Sequence, residues 1–146
     1  MPKLRYYIGY EKRAKKSKMG KEEVLILIAR ANECINEAQV LYDAHLYIGS
    51  VNRSYYSIFN SLQAGLQSLD IMVKTHQGAH VQFHQHFIKT GIFNDEIKKI
   101  PQRVEELRIK GDYEPDHQVY ADEKQVALLL ARQFYDAMKT YVHAKN

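Results

Sequence analysis

The residues best suited to chemistry lie within one short segment, residues 52–60, which read NRSYYSIFN. In a helix, at about 100° per residue, Arg53, Tyr56 and Asn60 are three and four positions apart and share one face. Tyr55 and Phe59 then point the other way, towards the core. A guanidinium, a phenol and an amide side by side favour a phosphate site or a second interface.

A row of histidines forms the second candidate set. His76, His80 and His84 are four residues apart, so they line one helix face. Adjacent members are spaced to share a metal ion, and His80 or His84 is also a candidate proton-transfer group for the Arg53 site. One helix does not supply a full coordination shell, and no carboxylate cluster lies nearby. We therefore predict no metal site and interpret the row as a polar face, with His76 bonded locally.

The remaining polar candidates point to structure. Arg108, Asp112 and Tyr113 predict an ion pair and a buried ring that together close a helix end. The sequence contains no phosphate-binding glycine-rich loop, no Ser/His/Asp order and no zinc pattern. We predict no cofactor.

Length and composition limit the protein classes. The chain has 146 residues, with 45% hydrophobic and 26% charged residues, which predicts one folded domain. Its longest apolar run, residues 24–29, is far shorter than the roughly 18 residues of a membrane span. A single cysteine forms no internal disulfide, and the N-terminus shows no secretory signal. These features predict a cytoplasmic protein with no membrane association.

The positive charge is concentrated at the N-terminus. Residues 1–20 hold seven lysines and arginines against one glutamate, Glu11, whereas the remaining residues are slightly acidic. We therefore predict a basic N-terminal arm over 1–20 and a helical domain over 21–146. Such an arm suits a phosphate backbone, with three tyrosines available to stack on bases. The alternatives are a solvated, partly disordered arm or a tail packed on a partner subunit.

Helical periodicity predicts the elements that position these residues. The predicted helices cover residues 21–46, 50–69, 75–89, 94–110 and 121–142. Gly49 is predicted to separate the first helix from the second, and Thr75 to cap the third helix. Gly91 and Gly111 are predicted to end the third and the fourth helix. Pro101 predicts a kink or a restart in the fourth helix.

The last helix has a predicted core face of mostly apolar residues. Its members are Val126, Leu129, Leu130, Phe134, Ala137, Met138 and Tyr141. With few glycines and prolines and no sustained alternation, the predicted fold is all-α, an up-and-down bundle of four to five helices.

Three ordered motifs resemble those of one known family. Residues 52–59 resemble the "NR-x-YY-x-x-F" signature of HEPN domains (higher eukaryote and prokaryote nucleotide-binding). Residues 74–78 resemble "KTH-x-G" and residues 108–113 resemble "R-x-x-x-DY" of its small prokaryotic stand-alone branch. The resemblance covers roughly residues 22–143. It implies a five-helix bundle and a two-fold symmetric homodimer.

The resemblance also implies a function, with one departure from the family pattern. Many HEPN proteins are metal-independent endoribonucleases, often toxins whose antitoxin is a minimal nucleotidyltransferase. Their signature is an arginine followed by a histidine, with four to six residues between the two. Counted from Arg53, those positions hold Ile58, Phe59 and Asn60, and Asn60 stands where this branch commonly has histidine. Because asparagine does not transfer protons, we predict that cleavage is weak or lost.

The function predicted from these features is therefore a HEPN-like homodimer of the toxin type. Its cleft binds RNA or a nucleotide through Asn52, Arg53, Tyr56 and Asn60, with Arg53 and Asn60 as the candidate catalytic residues. Any enzymatic activity is at most metal-independent RNA cleavage. The alternatives are a non-catalytic module that docks onto a nucleotidyltransferase and a domain that binds a small phosphorylated ligand.

Overall fold

The computed structural model describes the backbone of residues 2–113 and 121–145. Side chains are described from residue 20 onward, except those of residues 121, 122 and 124. The described part is an all-α bundle with no strand, as predicted. Its helices are α1 (Pro2–Asp43), α2 (Tyr47–Ser68), α3 (His76–Phe83, followed by a π-helical turn His84–Ile88), α4 (Asp95–Tyr113) and α5 (Ala121–Lys145).

Helix α2 lies at the centre of the bundle, where it packs against α1, α3, α4 and α5. Small side chains bring it close to α1. The buried hydroxyls of Ser50 and Ser57 donate to the backbone carbonyls of Ala38 and Ala31, each at 2.8 Å. These bonds satisfy the buried hydroxyls and fix the rotation of α2 against α1.

The core on the other side of α2 is aromatic and aliphatic. Tyr55, Ile58, Leu62 and Leu66 are buried there. Gly65 leaves room for Met138 of α5 and for Phe87 of the π-helical turn, because a Cβ at this position would lie 2.5 Å from Met138 Sδ and 3.0 Å from Phe87 Cζ.

The prediction that Gly49 breaks the chain between α1 and α2 is wrong. The turn lies earlier, with His45 at a positive φ of 61°, and Leu46 is the N-cap residue of α2. Gly49 lies inside α2, where a Cβ would come within 3.2 Å of Leu41 Cδ1. The glycine therefore serves the close packing of the α1 end on α2.

Two predicted helix starts are confirmed. Thr75 Oγ1 accepts a hydrogen bond from the Gly78 backbone N–H at 2.9 Å. Asn94 Oδ1 accepts one from the Ile97 N–H at 3.1 Å. Both are N-caps that satisfy backbone donors at a helix start. The predicted glycine after the third helix is also confirmed, since Gly91 has a φ of 76°.

Helix α4 runs further than predicted. It continues without a restart through the buried Pro101 and also through Gly111, and ends at Tyr113. The prediction that Gly111 stops the helix is wrong, because an interior glycine costs only about 1 kcal/mol. The Arg108–Asp112 ion pair, at 4.0 Å, supports the helix across this position. Residues 114–120 of the predicted loop lie outside the described residues.

The core face of α5 is rotated from the predicted one. Val126 and Leu129 are 37% and 57% exposed, so their assignment to the core is wrong. The buried residues of α5 are Ala127, Leu128, Ala131, Phe134, Tyr135, Met138 and Val142. The two small alanines permit close packing of α5 on the core. In the run of three leucines, residues 128–130, the sequence alone does not show which leucine faces the core.

Helix α1 runs across the boundary predicted at residue 20, and the division into an arm and a domain stays a prediction. Among the residues that the structure describes, no helix has the length and apolar character needed to cross a membrane.

Candidate nucleic-acid interface

The four predicted site residues lie on the side of α2 that flanks α1. We call Asn52, Arg53, Tyr56 and Asn60 the α2 face. Tyr56 is 38% exposed, and the other three are half-buried. Arg53 Cζ lies 4.9 Å from the centroid of the Tyr56 ring, which is a cation–π contact. The structure thus places a guanidinium and an aromatic ring together at the surface.

The charge of Arg53 is only weakly engaged within the chain. Its Nη1 lies 3.4 Å from Glu37 Oε2 of α1, and the Arg53 and Glu37 side chains are 37% and 51% exposed. An exposed pair of this kind contributes about 0–1 kcal/mol. The contact is a single one through Nη1, so the guanidinium keeps further donors for a bidentate acceptor.

Asn60 is turned towards α1. Its Nδ2 donates to Cys34 Sγ at 3.7 Å, and sulfur is a weak acceptor. Burial raises the pKa of the Cys34 thiol, while the Arg53 charge acts in the opposite direction. The thiol therefore stays protonated and is not an activated nucleophile. The α2 face supplies an amide and a cation, but none of its four residues transfers a proton near neutral pH.

A second polar group lies beside the α2 face, where α2, α3 and α4 meet. We call Tyr55, His76, His80, Glu105 and Arg108 the α3–α4 cluster. The buried Tyr55 hydroxyl lies 2.6 Å from His76 Nδ1. The His76 ring stacks on the Phe59 ring, with centroids 4.1 Å apart and planes within 8°. A hydrogen bond and a stacked ring therefore hold His76 on α2, although its side chain is exposed.

Arg108 covers the Tyr55 ring from α4. Its Cζ lies 4.7 Å from the ring centroid. Burial, together with the nearby Glu105 carboxylate, raises the pKa of Tyr55 to about 12, although Arg108 acts in the opposite direction. The phenol is therefore protonated at physiological pH, and its oxygen either donates to His76 or accepts from it.

His80 is paired with a carboxylate. Its Nε2 lies 3.3 Å from Glu105 Oε2, and both side chains are partly exposed. Burial lowers the pKa of His80, although Glu105 raises it and His76 lowers it further. Burial is the largest of these effects, so the net effect favours the neutral imidazole.

The α3–α4 cluster adjoins the α2 face through neighbouring tyrosines. The rings of Tyr55 and Tyr56 meet edge to face, with centroids 5.8 Å apart. A ligand that covers Tyr56 therefore comes close to the cluster.

Two predictions about these residues are wrong. His76 is bonded to Tyr55, 21 residues away, rather than locally. Tyr113 is 82% exposed rather than buried, because α4 extends past the packed part of the bundle. The predicted Arg108–Asp112 ion pair is present at 4.0 Å.

The α3–α4 cluster was not predicted as a site. One signal was available, because Tyr55, His76 and Arg108 each belong to one of the three HEPN-like motifs. Only the fold brings the three motifs together. Within the described ranges, no three His, Cys, Asp or Glu side chains are grouped to hold a metal ion.

Comparison with known proteins identifies the family of the chain. A model of the HEPN domain matches residues 24–141. The chain belongs to the HEPN domain family. The match includes all of α2, α3 and α4 and therefore every residue of the α2 face and of the α3–α4 cluster.

Individual HEPN relatives extend the comparison. A protein of Methanocaldococcus jannaschii named "Putative toxin" is 31% identical over 82% of this chain and 88% of its own length. A second protein of that organism with the same designation is 29% identical over 86% of both chains. A UPF0332 protein of Thermotoga maritima is 36% identical over 58% of this chain and 64% of its own length.

Proposed function

We propose that this HEPN protein is the toxin-type component of a toxin–antitoxin pair and that it binds RNA through the α2 face. The observation that carries the proposal is the Arg53 guanidinium, which lies over the exposed Tyr56 ring. Arginine binds phosphate, and an exposed tyrosine stacks on bases. The designations of the two Methanocaldococcus jannaschii relatives support the toxin class.

The proposal includes a homodimer with two-fold symmetry, in which the α2 faces of two copies form one cleft. A nucleotidyltransferase is the proposed antitoxin partner. RNA cleavage at the α2 face itself is weak or lost, because Asn60 holds the position of the motif histidine and bonds Cys34. The basic residues of segment 1–20 add a second, sequence-independent attraction for RNA.

The test is RNA affinity in Arg53→Ala compared with Arg132→Ala. Arg132 is a matched control, because it is also an exposed arginine that reaches α1, through a 3.0 Å bond from Nη2 to Gln39 Oε1. We expect Arg53→Ala to weaken the binding of labelled single-stranded RNA about tenfold, the effect of one charge-assisted contact. Arg132→Ala should keep the RNA affinity within about twofold of the wild-type value.

Thermal unfolding of both variants checks that the fold is intact. Equal affinities for wild type and Arg53→Ala would refute RNA binding by the α2 face and would leave that face to a protein partner.

The substitution Asn60→His tests whether the α2 face has lost its proton-transfer residue. Restoring the motif histidine should create or raise RNA cleavage in EDTA, in a range of roughly 10²–10⁴-fold if the geometry is intact. Asn60→Gln is the matched control, since it keeps the amide. No gain in Asn60→His would show that the α2 face binds RNA without retaining the cleavage geometry.

A further inference from the structure

We propose that a groove at the C-terminal end of α2 binds an extended peptide segment of a partner protein, one with an apolar side chain next to a basic side chain. The groove lies between α1, α2 and the connection from α2 to α3. Its lining residues, which we call the α2-end groove, are Leu27, Gln63, Gln67, Ile71, Met72 and Val73. The inference goes beyond the proposed function and does not depend on RNA binding by the α2 face.

Two glutamine amides in the groove are without a protein partner. Gln67 is only 8% exposed, and Gln63 is half-buried. Among the described residues, neither amide has a hydrogen-bond partner. A buried amide without a partner is costly, so these groups favour a ligand that supplies both donors and acceptors.

The spacing of the two amides matches a peptide backbone. Residues four apart on a helix, such as Gln63 and Gln67, have Cβ atoms about 5–6 Å apart. Alternate residues of an extended chain are about 6.6 Å apart. Each glutamine therefore reaches one of two alternate peptide groups of an extended segment.

The connection after α2 offers a second row of hydrogen-bonding groups. Along residues 71–74, half-buried and exposed side chains alternate, as in a strand with one face on the core. The Ile71 N–H donates to the Leu66 carbonyl at 2.9 Å, whereas the N–H groups of residues 72–74 have no partner in the described part of the chain. A peptide that lies along this segment forms backbone hydrogen bonds to it, as in the addition of a strand to a sheet edge.

The groove has room for one apolar side chain of the peptide. Its cavity has a volume of about 120 Å³. A cavity of about 150 Å³ holds a benzene molecule, so this volume suits a side chain of the size of leucine or valine. Leu27 and Ile71 provide apolar walls, and Met72, which is 70% exposed, provides a rim that adapts to the ligand.

The charges at the groove favour a peptide over a nucleic acid. The lining residues are uncharged and include no aromatic ring, so they offer phosphates no cation and bases no stacking surface. A Cβ on Gly20 would lie 3.9 Å from both Gln67 Nε2 and Asp70 Oδ1, which places the Asp70 carboxylate beside the Gln67 amide. Asp70 is exposed and has no ion pair among the described residues, so its carboxylate is available to a lysine or arginine of the peptide.

The experiment selects peptides from a random octapeptide phage library on the immobilised full chain. The selected sequences should share an apolar residue flanked by lysine or arginine. Fluorescence anisotropy then measures the Kd of the selected peptides, labelled with fluorescein, for wild type and variants. Gln63→Met and Gln67→Met replace each amide by an apolar side chain of similar length, and each should weaken binding about tenfold. Gln133→Met, at an exposed glutamine of α5, is the matched control and should stay within about twofold.

Two further measurements separate binding from folding. Gln67→Met removes a buried amide that has no partner among the described residues, so its thermal unfolding temperature should equal or exceed that of wild type. Met72→Asp changes a mostly exposed side chain and should weaken the binding of the same peptides. Val40→Asp, at a side chain of α1 that is 68% exposed, is its matched control and should bind them like wild type.

Three results would overturn the inference. The first is a selection that enriches no peptide, and the second is wild-type affinity of the selected peptides for both Gln63→Met and Gln67→Met. The third is a tenfold loss of single-stranded RNA affinity in Gln67→Met, on the order of one lost hydrogen-bonded contact, which would assign the groove to a base. Arg53→Ala should bind the selected peptides like wild type, so a failure of RNA binding at the α2 face is distinguishable from a failure of this inference.

Discussion

Replacing Tyr55 with phenylalanine removes a single hydroxyl group from the contact between α2 and α3. The ring stays buried against His76, Phe59 and Arg108, so the packing is unchanged. The hydroxyl makes a 2.6 Å bond to His76 Nδ1. A hydrogen bond of this kind contributes about 0.5–1.5 kcal/mol, and water can replace the hydroxyl at the exposed imidazole. We therefore expect the free energy of unfolding to fall by about 1 kcal/mol.

The assay is urea unfolding followed by circular dichroism, in a double-mutant cycle with His76→Phe. That second change keeps a ring stacked on Phe59 and removes both nitrogens. Tyr55→Phe should cost about 1 kcal/mol in the wild-type background and close to nothing in His76→Phe. An unchanged slope of free energy against urea will show that all four proteins unfold as one unit.

The reasoning would be refuted if the costs of the two changes were additive, since the bond would then carry no coupling energy. A loss of about 3–5 kcal/mol in Tyr55→Phe, the size expected for removing the whole aromatic side chain, would also contradict it. Such a loss would mean that the hydroxyl supports more of the core than the bond to His76.

Three further predictions concern glycines and pH. Gly111→Ala should raise the free energy of unfolding by about 1 kcal/mol in urea unfolding, because the position is helical and a Cβ there meets no atom within 4 Å. Gly91→Ala should lower it by about 1 kcal/mol in the same assay, because its φ of 76° strains any residue with a Cβ. Burial lowers the pKa of His80 below the ordinary 6.5, with Glu105 and His76 as the facing groups, so the unfolded chain binds more protons below that pH. The free energy of unfolding should therefore fall as the pH drops through 6.5 towards the folded pKa. Urea titrations at several pH values measure this dependence, and His80→Gln should flatten it. An unchanged pH dependence in His80→Gln would contradict the assignment to His80.

Much of the fold follows from local sequence signals. The caps at Thr75 and Asn94 are side-chain bonds to backbone three residues ahead, which sequence spacing specifies. The core face of α1 follows from its three- and four-residue spacing. Gly49 and Gly111 were misread because a glycine in a helix is recognised only from its neighbours in space. For Gly49 the neighbour is Leu41, and for Gly111 the surroundings are open.

The sequence predicted only the part of the site that lies on a single helix, α2. Spacing placed Arg53, Tyr56 and Asn60 on one face of α2, and the structure agrees. Spacing carries no information on contacts between helices, so the bond of His76 to Tyr55 and the pairing of His80 with Glu105 were not predicted. These contacts depend on how α3 and α4 pack on α2, which is a property of the whole core.

Residue-resolved mapping of RNA binding tests the central claim most directly. Nuclear magnetic resonance spectra of the nitrogen-15-labelled full chain are titrated with a short single-stranded RNA. The RNA is 2′-O-methylated throughout to prevent cleavage, and the spectra report the amides that sense it. The proposed function predicts shifts concentrated at Asn52, Arg53, Tyr56 and Asn60, extending through Tyr55 to His76. Shifts confined to α5, or none at these residues at saturating RNA, would contradict RNA binding by the α2 face.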